Sequence, residues 1–136
     1  MLGEFFAARA DEVDDALVED GPFGRYETVE AKTVSSVSIA TLGEILGAGT
    51  YDSLVEAASS GLQAPHGESG VDPVPSEITA ALATATDLDS IAAEWAMTDE
   101  MVDWDRDDVR DVIRELAGLA TKAQVTEREL WFWWSV

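Results

Sequence analysis

Cysteine is absent from the sequence, and histidine occurs once, at His66. Without cysteine the protein has no disulfide, no thiolate metal site and no thiol nucleophile. No apolar run approaches the roughly 20 residues that span a bilayer. Residues 1–10 lack the basic start of a secretion signal. We therefore expect a cytoplasmic protein that does not insert into a membrane.

Basic residues are also scarce: 8 lysines and arginines stand against 28 acidic residues, which gives a formal net charge of −20. A surface of this charge repels nucleic acid and anionic membranes, and it attracts basic proteins or cations. A general solubility surface, as in a high-salt or high-GC organism, explains the charge without any partner. A specific basic partner, or mimicry of nucleic-acid charge, is the alternative.

What the sequence does contain is the composition of a globular domain. Its 136 residues fit one domain with a substantial core. An apolar content of 46% argues against disorder. The chain contains neither an internal repeat nor a linker, so residues 1–136 are predicted to form a single domain.

Residues 107–123 show the strongest helical pattern in the chain. Their apolar positions recur every three or four residues and therefore fall on one stripe of a helix. Acidic residues crowd the start and Lys122 lies near the end, as the helix dipole favours. The stripe consists of Val109, Val112, Ile113, Leu116, Ala117, Leu119, Ala120 and Ala123.

Residues 130–136 are aromatic and β-branched and too short for a helix, which predicts a strand. Because side chains alternate along a strand, one face carries Leu130, Phe132, Trp134 and Val136 and the other Trp131, Trp133 and Ser135. Both faces are apolar, so we expect an inner strand covered on both sides. The alternative is that Trp131 and Trp133 form an exposed platform for a partner or a flat ligand.

The rest of the chain predicts further short helices and strands around the helix at 107–123 and the strand at 130–136. Residues 2–8 are expected to form a first strand and residues 28–34 a poorer second one. The predicted helices begin after Asp11, at Ser36 or Ser38, after Thr50, at Pro75 and after Asp87, with a short turn at Thr98. These elements predict an α+β fold: a small sheet in which the N-terminal and C-terminal strands are neighbours, covered by about five or six helices.

Residues 59–75 form the longest predicted loop. The stretch holds His66 among Pro65, Gly67, Gly70 and Pro73, with at most a short extended piece at 71–74. Loops of this length in compact domains are either functional or mobile.

Two short motifs are similar to a calcium-binding loop and to a serine-hydrolase elbow, but neither matches its full pattern. Asp103, Asp105 and Asp107 resemble the opening of a calcium loop, but Asp108 replaces the required glycine and Arg114 the bidentate glutamate. They are therefore weak metal candidates at an acidic helix start. The stretch 66–70 contains His66 and Ser69 but lacks one spacer of a serine-hydrolase elbow.

No catalytic residue and no cofactor are predicted. Gly47-Ala48-Gly49 follows a helix and lacks the third glycine of a dinucleotide-binding loop. Arg9, Arg25 and Lys32 either form a small cationic site for an anionic ligand or are scattered surface charges.

Several short stretches carry a resemblance to a protein family. They are the aromatic start at 5–8, the helix entry from Lys32 through 37–46, Thr50-Tyr51-Asp52, the helix at 77–82, Trp95 with Thr98-Asp99-Glu100, and the last helix with its aromatic strand around Trp133. In these stretches, over most of its length, the chain resembles a small uncharacterised family of acidic actinobacterial proteins. The resemblance implies one domain and an intracellular location, and it implies no catalytic residue because that family has no assigned activity. Its members often carry cysteine near the C-terminal aromatics, and this chain has none.

These observations leave two main functions open. The first is a non-enzymatic protein–protein interaction module, inhibitor-like or immunity-like, whose acidic surface engages a basic partner; neither nucleic acid nor a membrane is expected to bind. The second is a small-molecule-binding protein or cryptic enzyme, with a pocket beside Trp95, Trp104 and Trp131 and the His66 loop as its lid. A subunit of a symmetric homo-oligomer is a third. The candidate binding residues are Arg25, His66, Trp95, Trp104, Trp131 and Trp133.

Overall fold

The computed structural model of the chain describes residues 2–32 and 34–136. Its strands are β1 (Leu2–Ala8), β2 (Thr28–Glu30), β3 (Leu62–Gln63), β4 (Ser69–Pro73) and β5 (Glu129–Ser135). Its helices are α1 (Asp15–Asp20), α2 (Ser36–Ile45), α3 (Tyr51–Ala58), α4 (Ser76–Thr84), α5 (Leu88–Ala96) and α6 (Arg106–Val125), with 3-10 turns at Ala10–Glu12 and Asp99–Met101. The α+β prediction is confirmed.

The five strands form one antiparallel sheet in the order β2-β1-β5-β4-β3. The central strand β5 pairs with β1 from Leu2↔Ser135 to Ala8↔Glu129. On its other side β5 pairs with β4 from Ser69↔Ser135 to Pro73↔Trp131. The aromatic C-terminal strand is therefore an inner strand beside the N-terminal strand, as its two apolar faces predict.

Each face of β5 packs against its own core cluster. The larger cluster lies between the sheet and helices α2 to α6, and it includes Phe5, Leu130 and Phe132. The Phe5 and Phe132 rings lie 4.7 Å apart between centroids. The smaller cluster, under α1, includes Phe6 and Trp133. The alternation along residues 130–134 thus supplies both layers of the core.

Helix α6 follows its predicted stripe. All eight residues of that stripe are buried. The helix begins after Asp105, whose Oδ1 accepts a hydrogen bond of 2.8 Å from the N–H of Asp107. None of the helices in residues 2–32 and 34–136 is both long and apolar enough to cross a membrane.

Two predicted boundaries are wrong: the start of the first helix and the end of the second strand. Asp14, not Asp11, caps the first helix, since its Oδ1 accepts from the Leu17 N–H at 2.9 Å. Asp11 instead lies 3.3 Å from the Arg9 guanidinium. The second helix begins at Ser36, which is one of its two predicted starts, after the N-cap residue Ser35. Strand β2 ends at residue 30, and residue 33 of the predicted strand 28–34 lies outside the described residues.

The predicted loop 59–75 is largely a β-hairpin. Strand β4 is paired on both sides, with β3 and with β5. Its glycine, Gly70, allows a close approach: a Cβ built there would lie 2.5 Å from the Trp134 ring. The glycine and proline content that suggested a loop is therefore explained by tertiary packing.

Candidate functional site

Two of the candidate tryptophans belong to the core. Trp95 has 0% exposed surface, and its indole Nε1 donates to the Ser38 carbonyl at 3.0 Å. Trp133 is 8% exposed, and its Nε1 donates to the Val18 carbonyl at 2.9 Å. Both side chains therefore hold elements together, and neither offers a surface to a ligand. The exposed-platform interpretation is wrong for Trp133.

The single pocket predicted beside Trp95, Trp104 and Trp131 is also wrong. Trp104 packs against the larger cluster, whereas Trp131 packs against the smaller one. Alternation along β5 sends Trp131 to the α1 side, where its Nε1 donates to the Ala8 carbonyl at 3.0 Å. His66 is exposed in the turn between β3 and β4. The four residues therefore do not meet at one site.

The other basic candidates are separated too. Arg25 lies 5.7 Å from the centroid of the Tyr26 ring and 3.9 Å from Asp14. It lines a small cavity with Lys122 and Tyr26. Lys32 lines a different cleft, so Arg25 and Lys32 do not share a cationic site.

That other cleft, which we call the acidic cleft, lies between the end of β2 and the start of α6. It has a volume of about 580 Å³. Its lining contains five carboxylates, one lysine, an indole and an aliphatic side chain: Glu30, Asp103, Asp105, Asp108, Asp111, Lys32, Trp104 and Val112. Of the residues singled out in the sequence, Trp104, Asp103, Asp105 and Lys32 come together here.

Three carboxylates of the acidic cleft are free of ion pairs. Lys32 Nζ lies 3.4 Å from Glu30 Oε1, so the one cation of the cleft is already paired. Asp105 caps α6. Asp103, Asp108 and Asp111 form no ion pair with any residue that the structure describes. The cleft therefore combines an excess of negative charge with the partly buried indole of Trp104.

A metal site does not account for this charge within residues 2–32 and 34–136. No group of three or more histidine or acidic side chains is arranged there to hold a metal ion. Asp107 pairs with Arg110 at 3.2 Å. The weak candidates Asp103, Asp105 and Asp107 therefore do not form a coordinating set in the part of the chain described.

Asp72 is a buried carboxylate that the sequence pattern did not single out. It lies on β4 and is 9% exposed. Its Oδ2 accepts from Trp134 Nε1 at 3.0 Å, and its Oδ1 accepts from the Gly61 N–H at 3.2 Å. Desolvation raises its pKa, and the two hydrogen bonds oppose that rise. Because the stretch 59–75 was predicted as a loop, nothing indicated that this side chain is buried.

We expect Asp72 to make a pH-dependent contribution to stability. Because its folded pKa is raised above the ordinary 3.8, the folded state binds the proton more readily than the unfolded chain. The contribution is therefore fully present below about pH 3.8 and is lost as pH rises through the raised pKa. The free energy of unfolding of the wild type, relative to Asp72→Asn, should fall as pH increases across this window. Urea unfolding of the wild type and of Asp72→Asn at a series of matched pH values measures this difference in the free energy of unfolding. A difference that does not change with pH would contradict the prediction.

Comparisons of the chain with protein-family models, with curated proteins and with solved structures give no match. The resemblance to acidic actinobacterial proteins stays a prediction. The function is accordingly argued from the geometry described above.

Proposed function

We propose that this protein is a non-enzymatic interaction module whose acidic cleft binds a basic segment of a partner protein. The observation that carries the proposal is the set of unpaired carboxylates, Asp103, Asp108 and Asp111, beside the indole of Trp104. Asp108 and Asp111 lie three residues apart on α6, so they are neighbours on the helix surface. A cationic side chain in the cleft would meet both without breaking an existing ion pair.

The lining of the acidic cleft favours arginine over lysine in the partner. A guanidinium can donate to carboxylates in a planar fork and stack on an aromatic face at the same time. A cation over an indole contributes about 0.5–2 kcal/mol, with the larger value in desolvated sites. Trp104, partly buried against the core, provides a fixed surface for such stacking. Val112 adds an apolar contact for the aliphatic part of the same side chain.

The net charge of the whole protein supports the same partner. With a formal charge of −20, the field around the protein accelerates encounter with basic partners and disfavours nucleic acid and anionic membranes. We place the protein in the cytoplasm, in an inhibitor-like or immunity-like role, within the acidic actinobacterial family that it resembles. Formation of a homo-oligomer is compatible with this role as long as the acidic cleft stays open to the partner.

The test compares two triple variants that change the net charge equally. The cleft variant carries Asp103→Asn, Asp108→Asn and Asp111→Asn. The control carries Asp15→Asn, Glu19→Gln and Asp20→Asn on α1, where no ion pair is broken. Each is titrated at low salt with an arginine-rich peptide and with a lysine-rich peptide of the same charge. We expect the cleft variant to bind the arginine peptide at least about tenfold more weakly than the control, equivalent to about 1.4 kcal/mol.

A Trp104→Leu variant separates stacking from charge. It should reduce the preference for the arginine peptide over the lysine peptide while keeping most of the salt dependence. Equal weakening in both triple variants would mean that only the overall charge matters, and the general solubility surface would then be the better explanation. Failure of the wild-type protein to bind either peptide at low salt would also contradict the proposal.

A further inference from the structure

A second cleft lies at the start of α4, and we call it the α4 cleft. It has a volume of about 390 Å³ and is bordered by the end of α3, the end of α6 and the start of β5. Volumes of about 300–1,000 Å³ are typical of small-molecule sites. Its walls include apolar surface from Val74 and Leu130 and polar groups from α4.

Thr79 supplies an unusual group to the α4 cleft. The residue is 6% exposed, and its Oγ1 has no hydrogen-bond partner among residues 2–32 and 34–136. Thr84 in the same helix, and Thr41 and Thr121 in other helices, donate to the carbonyl four residues earlier, at distances of 2.9–3.0 Å. A buried hydroxyl without a partner is costly, and native proteins rarely keep one. The Thr79 hydroxyl is therefore available to a ligand.

The N-terminus of α4 adds further donors. The helix begins after Pro75, and no side chain caps it. Its first intrahelical hydrogen bond runs from the Ile78 N–H to the Pro75 carbonyl at 2.9 Å. The earlier N–H groups, of Ser76 and Glu77, have no acceptor within the helix. They lie at the positive end of the helix dipole, where a carboxylate or another anion is favoured.

Charged side chains of both signs border the α4 cleft. Arg128 lines this cleft and also the small cavity beside Arg25 and Tyr26. It makes no ion pair within 4.0 Å in the part of the chain that the structure describes, and its charge also acts on Glu12. Glu77 and Glu129 also line the cleft. A simple anion would be repelled by the two glutamates, and a simple cation would leave the α4 N–H groups without an acceptor.

We propose that the α4 cleft binds a small zwitterion of the amino-acid type with an apolar side chain. Its carboxylate accepts from the N–H groups at the start of α4, from the Thr79 hydroxyl and from Arg128. Its ammonium group pairs with Glu77 or Glu129. Its apolar body packs on Val74 and Leu130. This site is independent of the acidic cleft, so either proposal can fail alone.

The ligand class is tested with leucine and with two analogues that each lack one charged group. The probes are leucine, 3-methylbutylamine without the carboxylate, and 4-methylpentanoate without the ammonium group. Titrations of the full chain are followed through the backbone amide resonances of residues 76–79 and 128–130. We expect leucine to bind at millimolar concentration or below and each analogue to bind at least tenfold more weakly. Absence of leucine binding, or an analogue that binds as well as leucine, would overturn the proposal.

Two variants with matched controls test the residues themselves. Thr79→Val removes a hydroxyl for which the described part of the chain supplies no partner, so the variant should fold. It and Arg128→Gln should each weaken leucine binding at least tenfold. The controls are Thr84→Val on the same helix and Arg106→Gln at the start of α6, and both should bind as the wild type does. Unchanged binding by Thr79→Val in a folded protein would refute the role of its hydroxyl.

Discussion

Removal of residues 130–136 is expected to unfold the protein. The deletion takes away the central strand, which pairs with β1 on one side and with β4 on the other. The remaining strands would form two separate antiparallel pairs, and an isolated pair is marginally stable at best in water. Both core clusters would also lose side chains, because Phe132 belongs to one and Trp133 to the other.

The magnitude of this loss exceeds what a small domain can tolerate. Burial removes about 150–250 Å² of each aromatic side chain from water. At about 25 cal/mol per Å², Phe132 and Trp133 together contribute about 8–12 kcal/mol of gross stabilisation. The net stability of a domain is only about 5–15 kcal/mol. The truncated chain should therefore show no cooperative transition on heating and no near-ultraviolet circular dichroism from ordered aromatics.

A shorter truncation gives the matched control for the deletion. Val136 is 79% exposed, and its N–H donates to the Glu68 carbonyl at 2.9 Å. Removing Val136 alone should lower the melting temperature by only a few degrees, since it costs about one hydrogen bond. A cooperative melt of the chain without residues 130–136, at the temperature of the wild type, would show that β5 does not organise the core.

Helix α6 and strands β1 and β5 could be predicted because their signals are local. Periodicity of three to four residues fixed the buried stripe of α6, and alternation fixed which face of β5 each tryptophan occupies. The neighbouring position of β1 and β5 followed from their shared aromatic content. Predicting these three elements does not require information about distant residues, and the structure confirms them.

Strand β3 was not predicted, and β4 was anticipated only as a short extended piece at 71–74, because the signal for both depends on distant contacts. Glycine and proline disfavour a strand in isolation. Gly70 is accommodated because the Trp134 ring fills the space where a side chain would stand. The same pairing buries Asp72 against Trp134. The residues involved are separated by more than sixty positions along the chain, so no local pattern could indicate the contact.

The two clefts also differ in how far the sequence could predict them. Asp103, Asp105 and Trp104 are close in sequence, so their cluster was visible, although Glu30 enters the acidic cleft from a distant strand. The α4 cleft was not visible, because Thr79 and Arg128 come from different segments. Pro75 in place of a serine, threonine or aspartate is a sequence signal for an uncapped helix start, but it does not indicate that Arg128 lies nearby.

Substitution of Gly61 by alanine is expected to destabilise the protein by about 3 kcal/mol or more. A Cβ at Gly61 would collide with the Val71 carbonyl oxygen and would lie 2.7 Å from Asp72 Cα. Both are backbone atoms of β4, which cannot move without disturbing its pairing with the central strand. The φ angle of Gly61 is not positive, so the cost is steric and not conformational. Displacing Gly61 would also break its N–H bond to Asp72 Oδ1, which leaves a buried carboxylate with a single donor.

Gly118→Ala makes the same chemical change with the opposite expected sign. Gly118 lies inside α6, and a Cβ there would meet no atom within 4 Å. Alanine is favoured over glycine in a helix interior by about 1 kcal/mol, so this variant should be more stable than the wild type. Urea unfolding of Gly61→Ala, Gly118→Ala and the wild type gives the change in the free energy of unfolding for each variant. If Gly61→Ala proved as stable as Gly118→Ala, the backbone at Gly61 would not pack closely against β4. The burial of Asp72 would then lose its structural basis.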